Sequence, residues 1–197
     1  MSKIPEFVYK YHPIDIYSLR NLKNAQIYFN APKNFNDPFE INLNQSLDEM
    51  QYKTVLDHYK TECGNIRNPS YQEVYTALKN ALEKERERLL NSRGCWCASA
   101  GNENNLPKNI LMWSHYANSH KGMCLALKRI SLEQIFGKEM KVVDYHDTPI
   151  SLCPLCLISA CNCQDITKPL YNKSKIWEYE KEIRIFHEEP NNTKSHL

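Results

Sequence analysis

Glu182 and Arg184 stand two residues apart in the run Glu182-Ile183-Arg184-Ile185-Phe186-His187. Ile183 and Ile185 alternate with Glu182, Arg184 and Phe186, which reads as a strand with one apolar and one charged face. Residues i and i+2 of a strand leave the same face about 7 Å apart. There a carboxylate could stabilise a developing cation and take the proton of an incoming nucleophile. The guanidinium could grip a phosphate. A half-exposed ion pair uses the same two residues, and for an arbitrary strand that is the commoner arrangement. Glu180 shares this face if the strand begins early, and is the reserve carboxylate.

A second concentration of chemistry is Met112-Trp113-Ser114-His115-Tyr116-Ala117-Asn118-Ser119-His120-Lys121-Gly122. His115 and His120 could touch substrate, move protons near neutral pH, or order the fold. Trp113 reads as core rather than ligand. In the loop Phe35-Asn36-Asp37-Pro38-Phe39-Glu40, Asp37 is expected to cap backbone groups, while Asn36 either caps in the same way or lines a cleft, and is the residue to test. Phe35 and Phe39 need burial.

Four thiols, Cys153, Cys156, Cys161 and Cys163, follow the pattern C-x2-C-x4-C-x-C. They supply the ligand number of a structural zinc, although the second pair is tighter than a knuckle. Thiols filling a small core are the alternative. Cys95 and Cys97 alternate on their strand and are expected to be buried and not to meet at one ligand. A nucleophilic pair of Cys97 or Cys124 with His115 has no supporting motif.

The elements that must position these residues follow in order. Phe7 to His12 alternates as a strand, with Phe7, Tyr9 and Tyr11 on one face; one of the two tyrosines is expected to face the core. Asp15 caps a short helix. Gln26 to Asn30 is a second strand. Ser46-Leu47-Asp48-Glu49 and Ser70-Tyr71-Gln72-Glu73 are capping boxes that open two helices. Cys95 to Ser99 is a buried strand, Gly122 to Leu127 another, and Ser131 opens a helix that Gly137 stops. Lys141 to Tyr145 is a strand, and the Glu182 strand closes the set. The class is α+β, with a small mixed or antiparallel sheet.

The chain of 197 residues fits one domain over residues 1–190, with a helical insertion at about 46–93, a Cys-rich insertion at about 146–170 and a flexible tail, 191–197. A net charge of +2 gives no global field for nucleic acid or an anionic membrane. The apolar runs are too short to span a bilayer, the first residues lack a signal-peptide core, and the eight cysteines read as reduced thiols or metal ligands. A cytoplasmic location is expected. The sequence has no phosphate-cradling glycine loop, HExxH or GxSxG motif.

Taken together, Tyr9-Lys10-Tyr11, Ile27-Tyr28-Phe29, the FNDPFE loop, Cys97-Ala98-Ser99, the WSHYA and HKG segments, and Trp177-Glu178-Tyr179-Glu180-Lys181-Glu182-Ile183-Arg184 resemble a bacterial family known only as a domain of unknown function. The resemblance runs from about Tyr9 to Arg184. That family is more distantly similar to ADP-ribosyltransferases, including a toxin branch that modifies DNA. The resemblance implies a sheet of that type and NAD as substrate. It places Lys10 at the first-strand position, Tyr28 or Tyr116 as the stacking tyrosine, and Glu182 as the catalytic carboxylate. Lys10 departs from the His or Arg often found there. Tyr11, Asn36 and Arg184 join the NAD-contacting set, and His115 stands beside Glu182 as a catalytic candidate. The implied activity is transfer of ADP-ribose to a protein or nucleic acid, or hydrolysis of NAD, in a toxin or phage-defence role. The alternative is a non-catalytic nucleotide- or protein-binding module with a zinc insertion.

Overall fold

The computed structural model describes residues 5–37, 39–44, 46, 48–63, 69–101, 108–157, 163–188 and 192–195. The chain is α+β and divides into two compact units. One holds Met1–Glu40, Asn91–Asp147 and Tyr171–Leu197; the other holds Ile41–Leu90 and Thr148–Leu170. The two segments expected as separate insertions thus make up the second unit together.

In the first unit, β1 (Phe7–His12) is followed by α1 (Ile16–Lys23), β2 (Gln26–Phe29), β3 (Gly94–Ser99) and a further helix, Ile110–Tyr116. Then come β4 (Met123–Lys128), the helix Arg129–Phe136, β5 (Lys141–Val142), β6 (Asp144–His146), β7 (Asn172–Ser174), β8 (Glu182–His187) and β9 (Asn192–Ser195). The central sheet is antiparallel, ordered β4-β1-β3-β8-β5. β1 pairs with β4 along its whole length, and β3 does the same with β8. Between β1 and β3 the register consists of one position, Tyr9 opposite Ser99. The sheet is therefore two well-laddered halves joined at a narrow seam.

Alternation sets the two faces. Val8, Trp96, Ala98, Ile183 and Ile185 bury one face with Ile27, Phe29 and Leu132. Tyr9 and Tyr11 leave the opposite face of β1 and pack with Met112, Trp113 and Ala117. Both tyrosines are buried, so the expectation that one of them faces the core is met twice over.

Local signals account for several boundaries. Asp15 and Ser18 form a reciprocal capping box at α1. Gly137, in the left-handed region at φ 61°, ends the helix after Phe136. That helix starts at Arg129, two residues before the expected Ser131. The expected strand from Lys141 to Tyr145 is two strands with Val143 between them. β9 pairs antiparallel with β2, Asn192–Ser195 satisfying backbone groups of β2.

In the second unit the helices are α2 (Glu49–Cys63), α3 (Tyr71–Asn91) and a single turn, Pro154–Leu157. Numbered through the chain, Ile110–Tyr116 is α4, Arg129–Phe136 is α5 and Pro154–Leu157 is α6. The Ser70–Glu73 box forms as expected, with Ser70 N–H donating to Glu73 Oε2 at 2.7 Å and Glu73 N–H to Ser70 Oγ at 3.3 Å. The first box does not form at Ser46. Asp48 and Gln51 make it instead, at 2.7 and 3.1 Å, because Asp48 borders the first helical turn. Val74, Leu78 and Leu82 bury one stripe of α3.

Candidate active site

Glu182 opens β8, and its backbone N–H donates to the Tyr145 hydroxyl of β6 at 2.7 Å. β6 and β7 form a parallel two-stranded ribbon in which Tyr145 stands opposite Lys173. That ribbon delivers Lys173 to the start of β8. Lys173 Nζ donates to Glu182 Oε2 at 3.1 Å and to Glu180 Oε2 at 2.6 Å, and lies 4.9 Å from the Trp177 ring centre. Arg184 Nε donates to Glu182 Oε1 at 2.8 Å, while Arg184 Nη1 reaches Glu40 Oε1 at 2.5 Å. All five side chains are buried. These ion pairs join three carboxylates to two cations.

Glu180 reaches Lys173 from a different element. It is the last residue of the 3₁₀ helix Lys175–Glu180, and Lys181 follows in the left-handed region at φ 45°. This single kink ends the helix and starts β8, so both carboxylates meet one ammonium. Tyr116, at the end of α4, donates to Glu180 Oε1 at 2.5 Å, and Asn36 Nδ2 donates to Tyr116 Oη at 3.1 Å. Asn109 places α4: its Oδ1 caps Leu111 N–H, and its Nδ2 donates to Tyr179 O at 3.0 Å.

The environments push the two carboxyls apart. Burial would raise Glu182, but the Arg184 guanidinium and the Lys173 ammonium outweigh it and hold that carboxyl well below the usual range. Burial pushes Glu180 above its usual value, against the pull of Lys173. Glu40 is also raised by burial, despite Arg184. Tyr116 is raised, by burial and by Glu180, and stays a phenol. His12 on the cavity wall is lowered to about 4 by burial and by Lys10.

A cavity of about 770 Å³ opens along the seam between β1 and β3, and Glu180, Glu182 and Lys173 line it. Lys10, Tyr11, Tyr28, Asn36, His115 and Tyr116 line the same cavity. Tyr28 is 43 % exposed, and Tyr11 is buried edge-on to Trp113 at 5.4 Å. Lys10 leaves β1 on the Val8 face, 5.7 Å from the Trp96 ring centre, opposite to the face of Glu182. His115 is exposed and forms an aromatic group with Trp177 and Tyr179, at 6.1 and 6.3 Å.

Several expectations change. Arg184 is fully buried, with its guanidinium 5.4 Å from the Phe35 ring centre, and is not among the cavity residues. It is paired with Glu182 and Glu40. Phe39 is 64 % exposed, contrary to the expected burial, whereas Asp37 does cap Phe39 N–H at 2.9 Å. Cys95 and Cys97 share a face, as i and i+2 must, with sulfurs 3.6 Å apart. The Cys97 thiol is raised by Cys95 and by burial; Cys124 is raised by burial. Both shifts disfavour thiolate nucleophiles. His120 is an exposed turn residue at φ 68°, with its N–H on Trp113 O. Lys173 and Tyr145 were not singled out in the sequence; nothing in their spacing from Glu182 marks them.

In the second unit, the Cys153, Cys156 and Cys163 sulfurs lie within 4.8 Å of one another, a cluster that could hold a metal ion. Cys161, named with them, lies outside the described residues. No helix among the described residues is long and apolar enough to cross a membrane.

Residues 112–185 match a family described as Protein of unknown function (DUF2971). That span holds Tyr116, Lys173, Glu180, Glu182 and Arg184, and leaves Glu40 and the FNDPFE loop outside. No curated protein and no solved structure matches this chain.

Proposed function

We propose that the cavity of the first unit binds NAD and that the chain is an ADP-ribosyltransferase-like protein. It transfers ADP-ribose to a macromolecule, protein or nucleic acid, or hydrolyses NAD. The observation that carries this reading is the pair Glu180 and Glu182 on one lysine in the cavity wall, with one carboxyl held ionised and the other pushed toward protonation. Unequal carboxyls suit the breaking of a bond to an anomeric carbon, where one anion faces a sugar cation and a second group handles the proton. The cavity also falls within the usual range of ligand pockets, ~300–1,000 Å³.

In this reading the bond from the ribose anomeric carbon to the nicotinamide nitrogen breaks, and its electron pair stays on nicotinamide. The cation is shared with the ring oxygen and stabilised by Glu182. An incoming O–H or N–H group bonds to the anomeric carbon, and its proton passes to ionised Glu180. Tyr116 holds Glu180 in place. Rings of Tyr28, Tyr116 and His115 are available for stacking, and Lys10 offers a cation to the pyrophosphate. The role of bacterial toxin or phage-defence effector rests on the resemblance alone.

A non-catalytic nucleotide- or protein-binding module is the second reading, and one observation favours it. Both Glu182 oxygens are already engaged by Arg184 and Lys173. Incubation with labelled NAD and cell lysate, beside Glu182→Ala, separates the two. We expect nicotinamide release or label transfer by the wild type alone; neither from wild-type protein would leave the binding module. Equal activity in the variant would remove Glu182 from the reaction.

A further inference from the structure

We infer that Cys153, Cys156 and Cys163 form a zinc centre that ties α6 to the chain at Cys163 in the second unit. This stands apart from the NAD reading and shares no residue with it.

Four observations support the assignment. First, the three sulfurs converge within 4.8 Å, although they come from two stretches of chain and only one of them is buried. Second, the sulfurs of Cys156 and Cys163 are 3.6 Å apart. A disulfide would need about 2.05 Å. Two thiolates on one tetrahedral zinc, each at about 2.3 Å, stand about 3.8 Å apart. The spacing fits shared ligands and is also that of two thiols in contact, so the third sulfur decides. Cys95 and Cys97 show the same distance, but among the described residues no third ligand-type side chain completes a set with them.

Third, the backbone arranges the ligands before any ion arrives. Cys153 precedes the single helical turn α6 and Cys156 lies within it, at i and i+3 on one face. Leu157 N–H donates to Cys153 O at 3.2 Å and closes that turn. Gln164, next to Cys163, accepts from Cys153 N–H at 2.6 Å and donates to Ser151 O at 3.2 Å. One glutamine thus ties the two ligand-bearing arms together, as the groups around metal ligands do. Fourth, among the described residues of Thr148–Leu170 the regular structure is α6 and part of a 3₁₀ turn. Segments of this kind hold their shape through a staple.

Zinc is the chemical class these ligands select, because soft thiolates disfavour magnesium and calcium. Each bound thiol loses its proton to solvent and the thiolate donates an electron pair to the ion, so binding of the three ligands releases three protons. A further donor or water completes the tetrahedron.

The test uses the full chain, reduced and purified without chelator. We expect roughly one zinc per chain by elemental analysis. Replacement by Co²⁺ should give a sulfur-to-cobalt charge-transfer absorption. Cys156→Ser and Cys163→Ser should abolish both signals, while Cys124→Ser in the first unit keeps them. If the serine variants do not fold, the wild type decides the matter. A zinc chelator should then open the segment 148–170 to protease while near-stoichiometric zinc is released. No zinc and no cobalt absorption in reduced wild-type protein would overturn the assignment. So would full metal retention in Cys156→Ser and Cys163→Ser.

Discussion

At the scale of single residues, Glu182 and Glu180 are chemically the same and physically opposed. Glu182 lies between a guanidinium and an ammonium, and removing its charge leaves two buried cations without their shared anion. Glu182→Gln should cost about 3–5 kcal/mol in denaturant unfolding, the usual cost of breaking a buried ion pair. Glu180→Gln resembles the protonated form that burial already favours. Its stability should stay within about 1 kcal/mol of wild type, as for replacement of a partner without stranding a charge. The pH dependence follows from the directions of shift. Glu182 is depressed, so its contribution is present above its usual 4.5 and is lost as pH falls through its lower folded value. Glu180 and Glu40 are raised from 4.5; their contributions are present below that value and are lost as pH rises through their folded values. Acid titration of stability in Glu182→Gln should therefore be flatter below pH 4.5 than in wild type. Equal acid sensitivity would mean that another carboxylate carries it.

At the scale of elements, the parts that read clearly were those with a local signal. Alternation gave β8 its two faces, and Asp15 and Ser70 marked helix starts. The parts that did not read were set by tertiary context. The kink at Lys181 puts Glu180 on a helix end rather than a strand, and no motif announces a left-handed lysine. Lys173 comes to the site through β6 and β7, a pairing that periodicity cannot reveal. The turn after α4 shows what one glycine does. Asn118, Ser119 and His120 are all left-handed, and at Gly122 a Cβ would lie 2.2 Å from His12 O and 2.7 Å from the Ala117 Cα. Both neighbours are backbone and cannot yield cheaply. Gly122→Ala should destabilise the protein by about 3 kcal/mol in a denaturant titration, the upper part of the overpacking range. At α2, Asp48→Ala should cost about 1 kcal/mol, while Ser46→Ala, outside the observed box, should cost a few tenths. A reversed order would restore the cap expected from sequence.

At the scale of the whole molecule, the first unit carries the paired carboxylates and the cavity, and the second carries the Cys153–Cys156–Cys163 cluster. The α+β class and the closing charged strand were legible from composition and alternation. The grouping of the two insertions into one unit was not, because their association is long-range in sequence and neither carries a repeat. The narrow seam between β1 and β3 was equally hidden, since each strand taken alone alternates normally. The most direct test of the division of labour is nicotinamide release from NAD across pH, for wild type, Glu180→Gln and Glu182→Gln. We expect wild-type release to rise with pH through a single titration above the ordinary carboxylate value of 4.5. Glu180→Gln should lose that limb together with at least about 100-fold in rate, the lower end of what a positioned base contributes. Glu182→Gln should lose rate at every pH. A Glu180→Gln variant that keeps both the wild-type rate and the wild-type pH limb would contradict the assignment of the proton to Glu180.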